Sequence, residues 1–199
     1  MKSSRITRVV ALGLVMLVPA LSEAGSPLIC FPFQTGTAEV LPWSRGEGWK
    51  TPDPRYNVQN LTSDVLRLLS PTAPVLARME NMRRAGIYAS QDPRVADQLL
   101  NALVARAATP SPSALALFDA GYFIETLRNG SYMQMNAAPK QDGYAMVSRA
   151  IALAGINPEM EFAASLMAPK SRADDHRRRA RAGAATNTLL AQSMDSFGR

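Results

Sequence analysis

From Asn60 to Pro169 the apolar residues return every three to four positions, and each run stops at a proline or a glycine. That spacing is the period of an α-helix with one face turned to a core. It persists through the whole segment, so the chain reads as all-α. Leu61, Val65, Leu68 and Leu69 mark a first helix, stopped near Ser70-Pro71. Val75, Leu76, Met79, Met82 and Gly86 mark a second, with Glu80 and Arg84 paired at i,i+4 on its flank. Asp92-Pro93 and Asn157-Pro158 are helix starts: the side-chain oxygen caps free N–H groups, and proline occupies a first-turn position whose N–H has no partner. Val95, Leu99, Leu103 and Ala107 follow the first of these starts; Met160, Ala163, Ala164 and Met167 follow the second.

Residues 113–128 are apolar on nearly every side, with Leu115, Phe118 and Tyr122 on one face and Leu117, Gly121 and Ile124 on another. A helix of that kind is central in a fold. Met146, Ala150 and Leu153 mark a further helix ending at Gly155, and a basic helical segment starts near Ser171. About seven helices with short connections result. They suit an antiparallel bundle or a short α-solenoid-like array.

Residues 25–58 break the helical pattern. Five prolines (27, 32, 42, 52 and 54) recur with Gly36, Gly46 and Gly48, which excludes a long helix. The same segment holds Cys30, Phe31, Phe33, Tyr56 and both tryptophans, Trp43 and Trp49. A solvated linker has little use for such side chains. The expectation is an extended arm whose aromatic residues dock on the helical body, with short strand-like pieces at Leu28–Phe33 and Glu39–Trp43. Cys30 has no CxxC partner and reads as a small buried hydrophobe.

The first 24 residues have the layout of a secretory signal peptide. Lys2, Arg5 and Arg8 precede an apolar run from Val9 to Leu21, and Ser22-Glu23-Ala24 offers small residues at a cleavage site. The run is shorter than the ~18–20 residues that span a bilayer, so no transmembrane segment is expected after cleavage. The expected location is exported, periplasmic or extracellular, in a bacterial setting. The organisation is thus a signal peptide (1–24), an arm (25–58), a helical domain (59–169) and a basic C-terminal helix or tail (170–199).

The net charge of +6 belongs to the two ends of the chain. Residues 25–169 contain equal numbers of basic and acidic side chains, whereas the stretch from Lys170 onward is basic. A nucleic-acid partner is therefore not expected, because phosphate neutralisation needs many cations on one face. The lone His176, set among Asp174, Asp175 and Arg177–Arg179, reads as part of a solvated helix face and not as a metal ligand. Neither metal nor organic cofactor is expected, since no phosphate-binding loop, zinc-protease or nucleophile-elbow motif occurs.

Asp119, mid-helix among apolar neighbours, must be paired if it is buried. Arg83, Arg84 or Arg128 could supply the partner, giving a brace between helices; the alternative is a carboxylate dyad with Glu125. The candidate binding residues are Trp43, Trp49, Arg84, Asp119, Tyr122, Arg177, Arg178 and Arg179. The expected function is a non-catalytic helical interaction or scaffold protein of the cell envelope, with a protein partner in a groove between helices or against the tail. The alternatives are an enzyme using carboxylates in a helical cavity, and a binder of anionic surfaces acting through residues 170–181.

Overall fold

The computed structural model describes residues 27–44, 49, 51–130 and 139–197. The signal-peptide reading of residues 1–24 lies outside them. All regular structure among the described residues is helical: α1 (Pro27–Cys30), a 3-10 turn (Val58–Asn60), α2 (Leu61–Leu68), α3 (Val75–Ala89), α4 (Pro93–Ala107), α5 (Ala114–Asn129), α6 (Gly143–Ala154), α7 (Pro158–Met167), α8 (Lys170–Ala184) and α9 (Thr188–Ser196).

The helix starts follow local chemistry. Asp92, Ser113, Asp142, Asn157 and Asn187 each accept a hydrogen bond from a backbone N–H two or three residues on, capping α4, α5, α6, α7 and α9. Gly155 ends α6 with φ 73°, a left-handed conformation natural to glycine. Asn187 also explains why the basic tail is two helices and not one: its cap starts α9 after the turn that closes α8.

The strand-like pieces anticipated in the arm are not formed. Pro27–Cys30 is a short helical turn, and Glu39–Trp43 has no regular structure. The backbone there is satisfied by side chains of α3 and not by a neighbouring strand, so pairing has no driving force. The arm nonetheless packs against the body. Phe33 and Leu41 are buried, while Trp43, Trp49 and the partly buried Cys30 lie against the core. Burying a large apolar side chain stabilises by about 1.5–3 kcal/mol. Phe33 sits among Tyr122, Phe162 and Phe197, with ring centroids 6.4, 6.1 and 5.4 Å away. It thereby joins arm, α5, α7 and the chain beyond α9.

The helix apolar on all sides is indeed central. Every residue of α5 from Ala116 to Leu127 is buried, and α5 touches α1, α3, α4, α6 and α7. Two contacts depend on glycine. A β-carbon on Gly121 would lie 2.5 Å from the Gly143 carbonyl oxygen, so α5 and α6 meet backbone to backbone. A β-carbon on Gly86 would lie 2.6 Å from Thr126 Cγ2, where α3 meets α5.

Candidate functional site

Three of the anticipated binding residues meet where α3 holds the arm. Glu80, buried, accepts four hydrogen bonds: from Arg83 Nε and Nη2 (both 2.8 Å), from Arg84 Nε (2.7 Å) and from the Phe33 N–H (3.0 Å). Arg83, fully buried, donates through Nη1 to the carbonyls of Ile29 (3.2 Å) and Trp49 (3.1 Å). Arg84 donates to the Leu41 carbonyl, and Asn81 Oδ1 accepts from the Leu41 N–H at 2.8 Å. Tyr88 donates to the Pro42 carbonyl at 2.8 Å and accepts from the Asp53 N–H at 3.0 Å. The guanidinium carbons of Arg83 and Arg84 lie 5.0 and 5.4 Å from the Trp43 ring centroid. Glu80 is therefore not a flank residue paired only to Arg84. It is the hub of a buried network that satisfies the backbone of an otherwise unstructured arm. Trp43, Trp49 and Arg84 belong to this clamp, which is spent on the chain itself.

Tyr122 is also turned inward. It is fully buried between Phe118 and Phe33, and its hydroxyl has no hydrogen-bond partner among the described residues. Burial first, and the nearby Glu80 charge second, hold its phenol well above the usual range.

Asp119 forms a brace, but with Arg78 and not with Arg83, Arg84 or Arg128. Arg78 Nη1 donates to both Asp119 oxygens, at 2.9 and 2.7 Å, and both side chains are almost wholly buried. Arg78 also donates to the carbonyls of Ala73 and Ser70, and Arg106 stands 3.9 Å from Asp119. Burial pushes the Asp119 carboxyl up to about 6 against the opposing pull of Arg78 and Arg106. Glu125 is engaged elsewhere. It accepts from Arg128 Nη1 at 2.7 Å and from the Gly143 N–H at 3.0 Å, tying α5 to the start of α6. Each carboxylate thus has its own partner set.

His176 departs from its solvated reading. The ring is buried: Nδ1 lies 2.5 Å from Glu161 Oε2 on α7, and Nε2 lies 2.9 Å from the Tyr144 hydroxyl on α6. A signal for this was present in the sequence. Ala173, His176, Ala180 and Ala184 recur at helical spacing, and that small-residue stripe is the inward face of α8. The three arginines directly after it are exposed, and each has a carboxylate within 4 Å. Arg177 pairs with Asp174 at 2.8 Å, Arg178 with Asp175, and Arg179 with Glu161 at 3.4 Å.

Two of the surface grooves are lined by described residues. One, of about 400 Å³, is lined by Tyr144, Ser148, Ile151 and Ala152 of α6 and by Arg172, Asp175, His176 and Arg179 of α8. The other, of about 760 Å³, runs between the start of α3, the α6–α7 turn and the α8–α9 turn. Ile156, Leu189, Leu115 and Val75 line it, and Ile156 is completely exposed. Its one carboxylate, Glu159, accepts from Asn187 Nδ2 at 2.8 Å and from the Leu76 N–H at 3.2 Å, which also caps α3 from outside.

Among the described residues no group of three or more His, Cys, Asp or Glu side chains is placed to hold a metal ion, and no helix is long and apolar enough to cross a membrane. No protein-family model, curated protein or solved structure matches the chain.

Proposed function

We propose that this chain is a non-catalytic helical interaction protein of the cell envelope, and that it holds an apolar segment of a protein partner in the groove rimmed by Ile156 and Leu189. The single observation behind this reading is where the apolar surface lies. Leu153, Ile156 and Leu189 are the large apolar side chains exposed among the described residues, and two of them face the same cavity of about 760 Å³. The buried apolar side chains of the described residues form one core, and this exposed patch stands outside it. With Glu159 already satisfied, the groove asks for no counter-charge, in keeping with the neutral body. An apolar segment would gain affinity there by burial of surface.

The contacts of α5 with α1, α3 and α7, remote in sequence, favour a bundle over an array in which each repeat meets only its neighbours. The basic start and apolar run of residues 2–21 favour export. The carboxylate-enzyme alternative loses its motivation with Asp119 enclosed against Arg78.

The test is site-specific photo-crosslinking in the producing cell. A benzophenone amino acid replaces Ile156 or Leu189 in one set, and exposed Ala105 of α4 in another. Discrete envelope-protein adducts from positions 156 and 189, and none from 105, are expected. A pattern equal at all three positions, or no adduct at 156 and 189, removes the proposal.

A further inference from the structure

We propose that the groove between α6 and α8 is a binding site for a small phosphate monoester, independent of the apolar groove. Two helix faces converge on it. From α6 come Tyr144, Ser148, Ile151 and Ala152; from α8 come Arg172, Asp175, His176 and Arg179. The spacing within each set is one helical face over two turns. Helix α7 packs against both and sends Glu161 in to fix the His176 ring, so the wall between the two faces is rigid.

The donors there are incompletely used. Arg172 makes no ion pair among the described residues. Arg179 reaches Glu161 only at 3.4 Å, and Glu161 gives its other oxygen to His176 at 2.5 Å. Two guanidinium groups lining the same cavity supply the charge-assisted donors that phosphate oxygens accept. Two cationic forks suit a tetrahedral oxyanion with several acceptor faces. Ile151, Ala152 and the Tyr144 ring give the organic part of the ester an apolar wall. Asp175 is the opposing charge, and Arg178 neutralises it. Tyr144 is engaged with His176 at 2.9 Å and acts as wall, not as donor.

The chain contains one histidine, so its ring proton resonances report on this groove without assignment ambiguity. Untagged protein titrated with phenyl phosphate is expected to show a saturable shift of the His176 signals with Kd on the order of 1 mM. Inorganic phosphate should bind several-fold more weakly, and benzyl alcohol should give no saturable shift. The double variant R172A/R179A should abolish the response, and R177A/R181A, which removes the same charge outside the groove, should preserve it. Sedimentation with vesicles carrying phosphatidate separates the two sources of such a group. Co-sedimentation that depends on Arg172 and Arg179 identifies a lipid phosphate, and its absence identifies a soluble one. A missing saturable shift, or one equally reduced in R177A/R181A and R172A/R179A, overturns the site.

Discussion

The Gly121 substitution sets two physical effects of opposite sign against each other. Gly121 is inside α5, where glycine-to-alanine replacement alone stabilises a helix by about 0.8–1 kcal/mol. The new β-carbon, however, would stand 2.5 Å from the Gly143 carbonyl oxygen, 2.9 Å from Met146 Cβ and 3.0 Å from Val147 Cγ2. Carbon and oxygen in close contact stay roughly 3.3–3.6 Å apart, so the deficit is about 1 Å. The first two atoms belong to, or are bonded to, the α6 backbone, and no side-chain rotation relieves them. Helix α6 must move off α5. Overpacking of this kind costs about 1–3 kcal/mol. The motion also stretches the 3.0 Å bond from the Gly143 N–H to Glu125, and a hydrogen bond to a charged group contributes about 1.5–3 kcal/mol. The clash outweighs propensity, and Gly121→Ala should lose about 2 kcal/mol net, equivalent to a Tm lower by roughly 4–8 °C in a chain of this size. Thermal unfolding followed by circular dichroism measures it. Gly143→Ala meets the reciprocal 2.5 Å contact with the Gly121 carbonyl, so the double variant should cost less than the sum, because separated helices clash only once. A Gly121→Ala protein as stable as wild type, or more stable, would refute the close-approach argument.

Glu80→Gln should cost about 3–5 kcal/mol, because it leaves the fully buried Arg83 without its carboxylate. Since both tryptophans lie in the arm that Glu80 anchors, their emission should shift red at lower urea than the helical signal is lost; coincident transitions would count against the clamp. Asp119 makes a pH prediction. Its carboxyl is raised from 3.8 to about 6 on folding, so between those values the folded chain keeps a proton that the unfolded chain has released. Its stabilising contribution is complete below pH 4 and declines as pH rises through 6, by roughly 3 kcal/mol at 1.36 kcal/mol per pH unit. Urea midpoints of wild type and Asp119→Asn measured at pH 4 and pH 6.5 should converge or cross accordingly, and parallel profiles would exclude this origin.

The arm and α3 show why a segment rich in proline and glycine can be well placed without joining a sheet. An extended backbone needs partners for its N–H and carbonyl groups. Here α3 supplies them from side chains: Glu80 for Phe33, Asn81 and Arg84 for Leu41, Tyr88 for Pro42 and Asp53, and Arg83 for Ile29 and Trp49. Thirteen of the fifteen residues of α3 are buried as a result, five of them charged or amide side chains or tyrosine: Arg78, Glu80, Asn81, Arg83 and Tyr88.

The amino-acid sequence alone determined where helices begin and end. Caps such as Asp92 and Asn157, the prolines after them, and the glycine at 155 act within a few residues of themselves. The centrality of α5 was equally legible, because a helix apolar on all sides has only one stable location. Tertiary structure decided which charges are interior. Arg78 reaches Asp119 across 41 residues, and Arg83 reaches Ile29 across 54. His176 is enclosed by Glu161 and Tyr144, which come from two other helices. Periodicity identifies the face an apolar side chain seeks. A buried ion, however, is tolerated only where distant segments bring it a partner, and that meeting is a property of the packed chain, not of any local pattern. Both grooves arise the same way, from helix faces that no single segment contains.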